Sequence, residues 1–251
     1  TPRPTTTPEL SLWRGIRTAF DNRPFLIVSV LTVLFGPGIV MTEGLGLYVN
    51  IYHVNGGDAL AASQIAGVQG TLLYGAKFVW VPLVTALATR WGKKPTLFLC
   101  FALTLVASLC KWFFYTPDHP WLQIVVALIQ TPGMAGAWVL LGSMIADTVD
   151  WDEAQTGLQR AGLLLAIAQW MRKTGTTAAF FIGGQILLWS GYDAARGVAQ
   201  SEQTLFWLRV LFPLVPTVCI VAAIVLLCAY PITENKALAI RRQLEARRAG
   251  R

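Results

Sequence analysis

Arg172 and Lys173 stand side by side in a stretch, residues 162–192, whose other members suit a lipid bilayer. A charged side chain at bilayer depth costs at least about 2.5 kcal/mol on insertion scales, so it is kept where it faces a cavity, pairs with a carboxylate or binds a solute. Gln169, Lys173 and Thr177 follow at i, i+4 and i+8, which sets the ammonium between two hydrogen-bonding side chains on one helix face. Arg172 lies about 100° round the helix, at the edge of that face or toward a neighbouring helix. Just upstream, D-T-V-D-W-D-E gathers Asp147, Asp150, Asp152 and Glu153 in what reads as an acidic turn, followed by Arg160. Two chemistries suit these residues. Buried cations can hold a solute or a counter-charge, whereas clustered carboxylates can hold Mg²⁺ and a pyrophosphate, as in a membrane-embedded transferase. Such transferases generally need a second acidic cluster, and the sequence has none.

The elements that must position these residues are long and apolar. Hydrophobic residues make up 55% of the chain and charged ones 13%, about half the ~25% of soluble domains. Apolar runs of about 20 residues or more cover residues 24–53, 64–89, 95–115, 121–146, 162–192 and 205–232, each long enough to span a bilayer. The expectation is an all-α membrane protein, six transmembrane helices in one bundle over residues 23–232, with a linker and interfacial helix over 1–22 and a basic tail over 233–251.

Lys and Arg outside the spans set the orientation. Arg14, Arg17, Arg23, Arg90, Lys93, Lys94, Arg160, Lys236, Arg241, Arg242, Arg247 and Arg248 all fall on one side, against Arg196 on the other, so both termini are expected in the cytoplasm. The net charge of +7 is thus a topology signal and does not point to nucleic acid. The opening T-P-R-P-T-T-T-P-E reads as an interdomain linker, and L-S-L-W-R-G-I-R-T-A-F as an amphipathic helix on the membrane face, so the chain reads as the second part of something longer.

Within the spans, Phe35-Gly36-Pro37-Gly38 predicts a kink or a short unwound segment. Two readings stand for Glu43, an interfacial carboxylate or a functional one. Lys77, halfway along its span, is too deep to snorkel and is expected to line a cavity. Lys111 lies beside an outer turn and is expected to snorkel outward. Trp138 at mid-depth either packs or stacks on a sugar ring. Gly136 and Gly142, and the stripe Gly175, Ala179, Gly183, are expected to admit neighbouring backbones. His53, His119, Asp58 and Asp118 read as exposed loop residues. Cys100, Cys110, Cys219 and Cys228 lack metal-ligand spacing and read as small core residues. Nucleophile triads and phosphate loops are missing from the sequence, so no catalytic residue, cofactor or resident metal is expected.

Several ordered motifs carry a family resemblance: R-W-G-K-K-P, W-V-L-L-G-S-M-I-A-D-T-V-D-W-D-E, M-R-K-T-G-T-T-A-A-F-F, G-V-A-Q-S-E-Q-T-L-F-W-L-R and Y-P-I-T-E-N-K-A-L-A-I-R-R-Q-L-E-A-R-R. The chain resembles the C-terminal half of the glycoside-pentoside-hexuronide:cation symporters, the melibiose permease branch of the major facilitator superfamily. The resemblance implies twelve helices in two six-helix halves around a central cavity, this chain giving helices seven to twelve. It implies cation-coupled symport of a sugar or glycoside, neutral or anionic, across the plasma membrane, the inner membrane of a bacterium. It places the family's helix-eleven lysine at Lys173 and its helix-ten tryptophan at Trp138. Asp147, Asp150, Asp152 and Glu153 become cytoplasmic gate elements that pair with Arg160, Arg90, Lys93 or Lys94. Thr89 stands where the superfamily's loop motif usually has an acid, and Lys77 and Arg172 have no counterpart in the family pattern. The coupling Na⁺ or H⁺ is expected to be bound mainly by carboxylates of the N-terminal half, the partner of this chain alongside the solute and the bilayer. A lipid or lysolipid carrier on the same fold is the alternative. Lys77, Arg172 and Lys173 have no acid at their depth, so their neutralising charge is expected from outside the chain.

Overall fold

The computed structural model describes residues 19–249 apart from Val198. The linker, and all but the last residues of the interfacial helix, lie outside the described residues. Six long helices form the bundle: α1 Arg23–Tyr48, α2 Ala59–Trp91, α3 Lys93–Phe114, α4 Gln123–Thr156, α5 Ala161–Trp189 and α6 Glu202–Cys228. A seventh, α7 Glu234–Ala249, follows as a polar helix.

The helix ends follow from local chemistry. Asn22 caps α1, its Oδ1 accepting from Phe25 N at 3.1 Å, and Pro24 occupies the first turn where its missing N–H costs nothing. Asp58 caps α2 through Leu60 N and Ala61 N, and Ser201 caps α6 through Thr204 N. α2 stops at Gly92 and α4 at Gly157, both at positive φ (89° and 71°), and Gly157 N donates to Glu153 O at 2.8 Å.

One end of the bundle, the α7 end, collects Asn22, Lys93, Lys94, Asp147, Asp152, Arg160 and Tyr230 through long-range bonds. The opposite end joins Asn50 to Gln123 and Tyr52 to Tyr192. α3 and α4 pack most closely, because a Cβ at Gly133 would run into Cys100 O and Thr104. α1 packs on α5 and α6, α2 on α4, and α6 on α3. Phe35, Phe101, Leu97, Leu141 and Met144 fill the space between them.

Five of the six bundle helices have both the length and the apolarity to cross a membrane. α5 has the length, 29 residues, but its middle carries the polar run from Gln169 to Thr177. α2 is the least covered, with 11% of its span buried. Phe78 and Val79 on α2, and Trp170, Phe180 and Phe181 on α5, are exposed, so both helices present apolar faces outward. The chain is a multi-pass helical membrane protein.

Several expectations change. The acidic stretch Asp147 to Glu153 is not a turn: α4 runs through it and ends only at Gly157, whose left-handed conformation stops the helix. α1 is helical across Pro37 without an unwound segment, and a π-helical turn at Val49–Val54 follows it. His53 belongs to that turn and is half-buried, with Nε2 enclosed, because the extra residue per turn rolls it inward. Gly142 and Gly183 face open space, whereas Gly136 and Gly175 do admit neighbours, Val84 and Val33 respectively. Cys228 is exposed.

Candidate functional site

A cavity of about 350 Å³ opens between α1, α4 and α5. Thr32, Trp138, Gln169 and Arg172 give it polar and aromatic walls, and Leu141, Ile145 and Leu165 the apolar ones. Arg172 Nε and Nη2 donate to Gln169 Oε1 at 3.0 and 2.8 Å, an i, i+3 pair that holds the guanidinium along α5 and leaves the Gln169 amide nitrogen as a donor. Trp138 meets Phe35 edge to face at 5.9 Å and closes over Gly36, yet 36% of it remains exposed. The tryptophan is therefore packed on one side and open to the cavity on the other. A planar guanidinium, an amide and an indole in one recess can hold a hydroxylated ring and an acidic substituent.

Lys173 and Thr177 do not line that recess. Gly175 lies against Val33 and Pro37 of α1, so Lys173, two residues earlier, points about 200° away and is exposed. It sits twelve residues into α5, about 18 Å from Ala161, on a face shared with Trp170, Phe180 and Thr177. Lys77 is on α2, its Nζ 4.1 Å from the centre of the Tyr74 ring on the same helix. Glu43 lines a second cavity, at the opposite end of the bundle, together with Lys111. Lys77 is not among the lining residues of either cavity, and the residues expected to act as one set thus fall in four places.

At the α7 end the carboxylates are engaged. Asp147, 4% exposed, accepts from Lys93 Nζ at 2.5 Å and from Arg241 Nη2 at 2.7 Å. Arg241 also reaches Asp150 at 3.6 Å. Asp152, equally buried, receives both Arg160 Nε at 2.6 Å and Nη2 at 2.9 Å, and Asn22 Nδ2 at 3.2 Å. The hydrogen bond to Asp152 raises the pKa of Arg160 above the usual arginine range. Glu153 accepts from Gln159 at 3.2 Å, Arg90 is exposed, and Lys94 Nζ caps the end of α6 through Cys228 O and Tyr230 O at 3.0 and 2.9 Å. Two carboxylates already committed to guanidinium and ammonium groups are not arranged as a Mg²⁺ site. Among the described residues no group of three or more His, Cys, Asp or Glu side chains is placed to hold a metal.

Sequence reasoning missed three participants. Arg241 belongs to a tail expected to be merely basic, and only its spacing on α7 toward α4 reveals it. Asn22 has a dual role, capping α1 while binding Asp152. Lys111 was expected to snorkel, but its side chain is 3% exposed and turns into the bundle. Thr104, Ser108, Lys111 and Tyr115 follow one stripe of α3 that faces the core, and that i, i+4 register was the available signal.

Residues 2–234 match a family described as MFS/sugar transport protein. A glucuronide carrier protein homologue of Escherichia coli is 28% identical over 90% of the chain and 48% of its own length. An uncharacterised symporter of Synechocystis is 29% identical over 98% of the chain and 45% of its own length. An inner membrane symporter of Escherichia coli is 26% identical over 96% of the chain and 50% of its own. The chain spans about half the length of the curated relatives it matches.

Proposed function

Because the chain belongs to the MFS/sugar transport protein family, we propose that it is the C-terminal half of a carrier that couples Na⁺ or H⁺ to sugar or glycoside movement by alternating access. The observation that carries this reading is the exposed face of α5. It holds Lys173 at mid-length among Trp170, Thr177 and Phe180, with no acceptor in hydrogen-bonding reach of the ammonium among the described residues. A charge there calls for a counter-charge, and a six-helix N-terminal half carrying carboxylates supplies one. The same half covers the apolar face of α2.

Arg172, Lys173 and Lys77 favour an acidic sugar, a uronide or a sulfonated glycoside, and the likeness to a glucuronide carrier homologue supports the same choice. The Arg172–Gln169–Trp138 recess receives the solute. Both termini face the cytoplasm on the positive-inside count, and the likeness to an inner membrane symporter supports a bacterial inner membrane. The pairs at Asp147 and Asp152 make up the cytoplasmic side of the half and close or open with it.

The test is uptake of a labelled glucuronide by the full-length protein in proteoliposomes under an imposed Na⁺ or proton gradient. Accumulation that an ionophore abolishes is the expected result. Uptake of a lysophospholipid in place of any sugar would transfer the reading to a lipid carrier, and the absence of gradient-driven uptake would refute symport.

A further inference from the structure

We propose that the second cavity, at the end of the bundle opposite α7, is a binding site for a singly charged oxyanion, with Lys111 as its anchor. The cavity has a volume of about 260 Å³ and lies among α1, α2, α3 and α4, with Phe212 of α6 as part of its wall. It shares no lining residue with the recess around Arg172.

Three observations converge. Lys111 is 3% exposed and its Nζ has no hydrogen-bond partner, lying 4.8 Å from the centre of the Phe212 ring. A buried ammonium with three donors and no acceptor is a costly arrangement unless an oxygen ligand completes it. Second, Gln123 Oε1 is also buried and unpartnered on the same wall, its amide nitrogen being held by Asn50 Oδ1 at 3.0 Å and Pro120 O at 2.9 Å. The cavity lining thus carries both a spare acceptor and a spare donor set, a match for a hydroxyl beside an oxyanion. Third, Glu43 lines the cavity with Lys111, and Lys77 sits beside it with its Nζ 4.1 Å from the ring of the lining residue Tyr74, so the formal charges of these three groups sum to +1, which a ligand of charge −1 neutralises.

Gln69, Gln130 and Tyr74 add amide and hydroxyl groups around the opening. The volume lies below the ~300–1,000 Å³ of sites for drug-sized ligands, so the ligand is a carboxylate, sulfonate or phosphodiester on a hydroxylated skeleton of a few carbons. A free hydroxy acid and a phosphoglycerol lipid headgroup share that chemistry. The site is separate from the transported solute's recess and stands whether or not the transport reading does.

The full-length protein in phosphatidylcholine nanodiscs, titrated with D-glycerate by calorimetry, tests this. Saturable binding is expected, weaker by tenfold or more in Lys111→Met and by threefold or more in Gln130→Leu, with glycerol failing to displace the acid. Lys111→Met exchanges a buried ammonium for an apolar side chain of similar length, so its melting temperature should equal or exceed that of the parent. Repeating the titration in phosphatidylglycerol nanodiscs identifies the source. Lys111-dependent competition by the lipid assigns the headgroup, and unchanged glycerate affinity assigns a free solute. Equal glycerate affinity in parent and Lys111→Met, equal binding of glycerol, or no saturable binding would overturn the site.

Discussion

Lys93 Nζ and Asp147 Oδ2 stand 2.5 Å apart, so the first residue of α3 is tied to the last third of α4. Arg241 of α7 reaches the other oxygen of the same carboxylate at 2.7 Å. One buried acid thereby fastens three helices at the α7 end.

Asp147→Asn should therefore loosen that end. Removing one member of a buried ion pair costs about 3–5 kcal/mol, and here the loss should be about 1–2 kcal/mol, since Arg241 is half exposed and rehydrates. Thermal unfolding of the purified full-length protein reads the effect, with transport rate expected to change more than substrate affinity. An unchanged melting temperature and rate would remove Asp147 from both roles.

Asp152 and Arg160 form a two-bond fork that pins the start of α5 to α4. A double-mutant cycle with Asp152→Asn and Arg160→Gln should give a coupling energy above about 0.5 kcal/mol, the range for residues in one network. Additive losses would mean that the two act independently.

The α3–α4 contact sets a steric prediction. Gly133→Ala places a methyl group against Cys100 O and Thr104 and should destabilise the protein by about 1–3 kcal/mol, whereas Gly142→Ala faces open space and should be neutral or slightly stabilising. Expression level and melting temperature of the two variants separate them, and equal behaviour would contradict the packing.

What the sequence disclosed, and what it withheld, divides along physical lines. Six helices and their approximate ends are readable because apolar length and helical period are local properties, whereas the set Gln169–Lys173–Thr177 is divided, Gln169 lining the recess and the other two facing outward. The continuation of α4 through Asp147 to Glu153 was hidden: acids at a membrane surface read as a loop, and only Gly157 marks the real stop. The inward turn of Lys111 depends on which stripe of α3 meets α4 and α6, a tertiary fact that Trp112 beside it obscured. Arg172 entering the recess while Lys173 faces outward follows from Gly175 packing on Pro37, which fixes the rotation of α5.

Orientation is open to labelling. Lys93 is engaged with Asp147, so the exposed Arg90 is the better reporter for the α7 end, and Asp118 for the other. An impermeant thiol reagent applied outside intact cells should modify Asp118→Cys but not Arg90→Cys. The reverse pattern would invert the topology.

The central claim is that the ammonium of Lys173 links the cation site of the other half to the solute. On the proposed reading the cation and the Lys173 ammonium compete for the same carboxylates, so cation binding releases the lysine and couples the two sites by linkage. Uphill and exchange transport of a labelled glucuronide should be compared in the full-length protein and its Lys173→Met variant. Loss of gradient-driven accumulation, with folding and solute exchange retained, is the predicted result; accumulation at the parent's rate would contradict the coupling role of Lys173.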